Sequence, residues 1–294
     1  MPNGAGIIPG TFFMLDFVSA CDIIGKGGKK MDLDMSKQEF LKYTSNYDWE
    51  NFNIKRKVDH SLRVMKISEN IAKSLNLSRE EIDLATLIGL LHDIARFDQF
   101  TIYNTFNDSK SIDHGNYGVE ILQKENYIRN YIKEDKYDQI IFTAIKNHNK
   151  FKIEKNLDEK ELLFSKIIRD ADKIDILYQG ICISWKDNIK DVEQEKISEK
   201  EIQSFYEKRL VNRNTDLKYT SNEIRHLLTI LGFVFDLNFK ISYKILKESN
   251  YINSIINRFN FQDTDTQKNI EMVREIVNEY IDIKAEGDSK WKNY

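Results

Sequence analysis

Both prolines of this 294-residue chain, Pro2 and Pro9, fall at its very start, and none follows. Proline removes a backbone donor and clashes with the preceding helical turn, so its absence leaves long helices uninterrupted. From Met31 onward apolar residues recur at spacings of three and four, and runs of alternating β-branched residues are rare. That periodicity predicts an all-α fold.

Five helices carry the side chains of interest. Val64, Ile67, Ile71 and Leu75 form a helical stripe, and His60 lies one turn before it on the same inward face. Ser78 and Glu81 have capping-box spacing and open a helix predicted over Glu80 to Ala95. Ile82, Leu84, Ala85, Leu87, Ile88, Leu90 and Leu91 make it apolar nearly all round. It is therefore expected to be the central buried helix, ending in His92-Asp93. A third helix is expected to begin near His114. In the fourth, Tyr137, Ile141, Ala144 and His148 share a face, and the fifth runs from about Glu159 to Tyr178. A further long helix is expected between Glu223 and Leu246, and one or two more over residues 252–284. Lys186 to Ser204 is charged, and Arg213 to Ser221 is polar and loop-like.

The first thirty residues hold both prolines and six of the twelve glycines, so 1–30 reads as a flexible extension outside the fold. Residues 31–180 are expected to form the principal helical domain, with 181–294 a C-terminal helical extension packed on it. The formal net charge of −3 provides no global basic field, so no stable nucleic-acid partner is expected. No run approaches the roughly 18 to 20 apolar residues of a membrane span, so no membrane partner is expected either. Cys21 and Cys182 are too far apart for a CxxC site and too few for a disulfide framework. A reducing, cytoplasmic setting fits that usage.

Only five histidines occur in the chain, and four of them, His60, His92, His114 and His148, lie at ends of predicted helices. His226, beside Leu227-Leu228, reads as structural. Asp93 follows an apolar run, and a carboxylate buried there needs a partner. Imidazole and carboxylate together suit borderline divalent ions: Mn, Fe, Co, Ni or Zn. In an adjacent His-Asp pair the histidine can bind one ion while the carboxylate bridges to a second. A hydroxide shared by two such ions can attack phosphorus while the ions neutralise the charge that develops. Asp170 and Asp172 are rival distal ligands. Two residues apart on a helix, they point about 200° away from each other, so both cannot reach one ion.

The segments DHSLRVMKI (59–67), LLHDIARF (90–97), DHG (113–115), NH (147–148) and RDADKID (169–175) together resemble the HD-domain superfamily of metal-dependent phosphohydrolases. The resemblance covers roughly residues 55 to 180. It implies an HD-type helical bundle in which His60, His92, Asp93 and Asp172 match the ligands of a single-metal site. The Ala171-Asp172 pair matches the family's placement, which selects Asp172. His114 and His148 match the two further histidines of the binuclear subset, which includes the HD-GYP phosphodiesterases and YqeK-like hydrolases. The GYP signature is absent, and the spacing is closer to the second group.

The function expected from the resemblance is metal-dependent hydrolysis of a phosphate ester or anhydride in a small nucleotide-like substrate, with two divalent ions as cofactors. A metal-bridging hydroxide is the expected nucleophile. Asp93, Arg96 and Lys173 are the expected catalytic residues, with Arg96 and Lys173 stabilising charge. Arg96, Arg63 and Lys146 are the expected substrate-binding residues. Lys55, Arg56 and Lys57 read as solvated, and Arg63 and Arg169 read equally well as structural salt bridges. Tyr178, Trp185 and Phe97 can stack a base or serve the core. A di-iron oxygenase with the same six ligands and a non-catalytic nucleotide-sensing module are the alternatives. For the C-terminal third, the sequence leaves open a cover over the pocket or the surface of a homodimer.

Overall fold

A computed structural model describes residues 31–182, 192–194, 196–197, 202–203, 207 and 222–287. The expected flexible extension (1–30), the loop over Arg213 to Ser221, most of Lys186 to Ser204, and Trp185 lie outside the described residues. The architecture is all-α, with no strand among the described residues. The helices are α1 (Leu33–Thr44), α2 (Phe52–Ser74), α3 (Arg79–Leu91), α4 (Arg96–Tyr103), α5 (His114–Gln123), α6 (Asp138–His148) and α7 (Glu159–Cys182). After them come α8 (Asn222–Gly232), α9 (Lys240–Ser249), α10 (Tyr251–Ile256) and α11 (Thr264–Glu286). None of the described helices is long and apolar enough to cross a membrane.

Helix α3 is the axis of the bundle, packed by α1, α2, α6 and α7. Every residue from Asp83 to Leu91 is buried. The Ser78–Glu81 capping box forms as expected, with side chain and backbone bonding reciprocally. The helix is shorter than expected, however. It ends at Leu91, with His92 as its cap, and a separate short helix begins at Arg96. Asp93 therefore lies in the turn between α3 and α4. Asn104 closes α4 in the left-handed conformation that asparagine tolerates.

α2 and α3 approach closely at Gly89. A Cβ there would lie 2.7 Å from the Ser68 hydroxyl and 2.9 Å from both the Met65 Cα and the Val64 carbonyl oxygen. Two of those three atoms are backbone and cannot swing aside. The close approach sets the separation between the helix carrying His60 and the helix leading to His92.

The expected single helix from Glu223 to Leu246 is broken. A 3-10 turn (Phe233–Asp236) and the extended residue Leu237 separate α8 from α9. The reason is a bond to α7. The buried Asp170 carboxylate accepts the backbone N–H groups of Asn238 and Phe239 and the Ser242 hydroxyl, at 2.6–3.1 Å. It thus satisfies the start of α9, which has no side-chain cap of its own. Asp236 pairs with both Arg169 (2.5 Å) and Lys173 (2.9 Å). Tyr178 meets Tyr251 with ring centroids 5.9 Å apart, and Arg258 donates to the Gly180 carbonyl.

Gly89→Ala is expected to cost about 1–3 kcal/mol, because the overpacked site must push two helices apart. Chemical denaturation of both proteins measures this; a change within about 0.5 kcal/mol, the scatter of ordinary surface substitutions, would contradict the close-approach account.

Candidate metal centre

Two histidine pairs face each other across one aspartate. In the first, His60 Nε2 lies 3.2 Å from His92 Nε2, 3.3 Å from Asp93 Oδ2 and 3.2 Å from Asp172 Oδ1. In the second, His114 Nε2 and His148 Nε2 are 2.9 Å apart, and each is 3.5 Å from Asp93 Oδ1. The two oxygens of Asp93 are thus divided between the pairs. The six residues expected from the sequence come together from α2, the α3–α4 turn, α5, α6 and α7.

The chemistry of this donor set fits cations. Each imidazole Nδ1 faces an acceptor: His60 the Asp175 carboxylate (2.6 Å), His92 the Gly89 carbonyl (2.8 Å), His114 the Asp108 carboxylate (2.6 Å) and His148 the Ile145 carbonyl (2.6 Å). With a neutral ring the proton belongs on Nδ1, so all four Nε2 lone pairs point inward. With every ring in that form four lone pairs and two carboxylates converge, and in the metal-free cluster the proton on His60 relieves part of their repulsion. Such a cluster is repulsive without positive charge at its centre. His60, His92 and Asp172 can form one metal-holding group, and His92, Asp93 and His148 another. Asp172 is more exposed than the four histidines of the cluster, with its side chain 15% exposed, whereas they are buried.

The titration of these groups follows from their surroundings. Burial and the nearby Lys57 charge oppose protonation of His60, but Asp172, Asp175 and Asp93 outweigh both and push its pKa up to about 10. His114 moves to about 3, because it is buried and faces Arg96. Burial also lowers His92. Against the cost of burial, Lys57 and the histidines hold Asp93 well below the usual carboxylate range. His60 and His92 do the same for Asp172.

Asp170 is directed away from the cluster. It is held instead by residues 238–242 of the C-terminal helices. Burial raises its pKa.

The basic residues separate into two sets. Lys173 was expected to stabilise developing charge, but its ammonium lies on Asp236 and over the Phe233 ring. Lys146, expected to bind substrate, pairs with Glu154 at the surface. Arg63 makes a two-point contact with Asp175, which in turn holds His60, so it braces that ring through the carboxylate. Arg96 reaches the site: its Nε lies 3.4 Å from Asp93 Oδ1, while Nη1 bonds Gln99, the Phe106 carbonyl and Asp108. Arg169 binds the backbone carbonyls of Asn147 and Lys150 together with Asp236, a structural role. Phe97 is core, and Tyr178 lies under the Arg63 guanidinium. His226 is exposed on α8.

Lys57, read from the sequence as solvated, is the main correction. Its Nζ sits 2.6 Å from Asp93 Oδ2. The signal was present, since Lys57 precedes His60 by three residues and must share its helix face. Asp175 was likewise legible as the residue three beyond Asp172. Asp108, in a short 3-10 turn, had no periodic signal at all.

Residues 58–177 match the family model of the HD domain. That stretch contains all six converging residues, and the match supports the HD-domain superfamily for this part of the chain. HD domains are mostly metal-dependent hydrolases that bind divalent metals. No curated protein and no solved structure matches the chain.

Two outcomes are expected for metal binding. Asp172→Ala should lose metal on elemental analysis while Asp170→Ala keeps it; the reverse would reject the placement of Asp172. Because His60 holds a proton up to about pH 10, a cation entering the cluster must displace it. Metal uptake should therefore release protons and tighten between about pH 6 and pH 9. Calorimetry in two buffers of different ionisation enthalpy tests this, and uptake with no proton release would contradict it.

Proposed function

We propose that this protein is a metal-dependent phosphohydrolase that cleaves a phosphate ester or anhydride of a small nucleotide-like substrate. The observation that carries the proposal is the division of the Asp93 oxygens between two histidine pairs. His60, His92, Asp93 and Asp172 would hold one divalent cation, and Asp93, His114 and His148 a second. When bound, such cations supply Lewis acidity, acidifying water and neutralising charge on a phosphoryl group.

The chain's own residues do the rest. Asp175 and Asp108 keep protons on the outer nitrogens of His60 and His114, so the inner nitrogen of His114 is available and that of His60 becomes so once a cation displaces its proton. Lys57 and Arg96 flank Asp93 and provide positive charge for a phosphoryl oxygen. They take the role that Lys173 was expected to share. Placed beside the cluster, these two cations favour an anionic substrate.

His92→Ala should fold and lose turnover by more than about a hundredfold, since even residues that only support a metal ligand cost 10- to 100-fold when removed. A screen of nucleotides and generic phosphodiesters with Mn and other divalent ions provides the assay. Full activity in His92→Ala would reject the mechanism. Iron content with oxygen consumption and no phosphodiester cleavage would instead favour the oxygenase.

A further inference from the structure

Three cations surround one aromatic ring at the edge of the cluster. The Arg56 guanidinium, the Lys57 ammonium and the Arg96 guanidinium lie 5.4, 5.4 and 5.7 Å from the centroid of Phe106. Phe106 is itself stacked on Phe100, with centroids 4.9 Å apart, which holds the ring in place. Lys57 and Arg96 have counter-charges in Asp93 and Asp108. Arg56 has no carboxylate partner among the described residues, and its Nε is buried without a hydrogen-bond acceptor. Burial and the neighbouring Arg96 pull its pKa below the usual guanidinium value.

That arrangement is unfavourable as it stands. A partly desolvated guanidinium beside like charges is destabilised, and a ring face returns only about 0.5–2 kcal/mol. An oxyanion among the three would reverse the balance, and the planar guanidinium is the side chain best shaped to grip one at two points. Arg56 also lies one turn before His60 on α2, which sets it on the same helix face as a proposed metal ligand.

We propose that Arg56, with the Phe106 wall, forms an oxyanion subsite beside the metal cluster. It takes a phosphate group of the substrate other than the one attacked. The inference rests on the phosphohydrolase reading and narrows its substrate class to molecules with at least two phosphates, such as a nucleoside polyphosphate.

The test is calorimetric binding of methylenediphosphonate and of orthophosphate to the full chain with saturating Mn²⁺. Arg56→Ala should weaken diphosphonate binding by about tenfold or more while changing orthophosphate affinity less than about twofold, and Arg56→Lys should recover part of the loss. Arg56 is partly buried, and melting curves check that each variant folds. Equal losses for both ligands, no loss for either, or no diphosphonate binding by the unsubstituted protein would overturn the subsite. The two readings fail separately. Arg56-dependent diphosphonate binding without hydrolysis of any phosphate compound would sink the enzyme assignment alone. Nucleotide hydrolysis with diphosphonate binding indifferent to Arg56 would sink the subsite alone.

Discussion

The Asp93 carboxylate is the constraint on which the rest depends. It is buried, ionised and shared between two histidine pairs. A buried carboxylate is tolerated only with compensating charge and hydrogen bonds. The fold supplies the position by ending α3 at Leu91, deep in the bundle, so that the turn carrying Asp93 opens inside the protein. Gly89 lets α2 come close enough for His60 to meet His92. Lys57, from the same face of α2, supplies the direct ionic partner.

The two halves of the cluster are built alike but biased differently. Each histidine pair has one ring backed by a carboxylate and one backed by a main-chain carbonyl. Yet His60 is driven toward protonation and His114 away from it. The difference lies in what else each ring meets. His60 is bonded by three carboxylates, whereas His114 faces the Arg96 guanidinium. Helix α7 shows the same division of labour along its length. Asp172 turns toward the cluster, while Arg169, Asp170 and Lys173 fasten the helix to residues 236–242.

The all-α class and five of the six converging residues, His60, His92, Asp93, His114 and His148, were legible in the sequence from helical periodicity and position at helix ends. Apolar spacing placed the helices, and the histidines fell at helix ends. The choice between Asp170 and Asp172 was not legible from the pattern, since apolar residues flank both faces of α7; the family resemblance selected Asp172. What separates them in space is a bond from Asp170 to a segment 68 residues away, which no local rule anticipates. The same long-range pairing explains the break between α8 and α9. The ion pairs of Lys173 and Lys146 were not legible for a related reason. Proximity in sequence to a ligand says little about which way a long cationic side chain turns when Asp236 or Glu154 waits on another side.

The most direct measurement is an anomalous difference map from crystals grown with Mn²⁺. The account predicts two peaks, one on each side of the Asp93 carboxylate, roughly 3.5–4 Å apart. A single peak bound by His60, His92, Asp93 and Asp172, with His114 and His148 making no contact to metal, would contradict it.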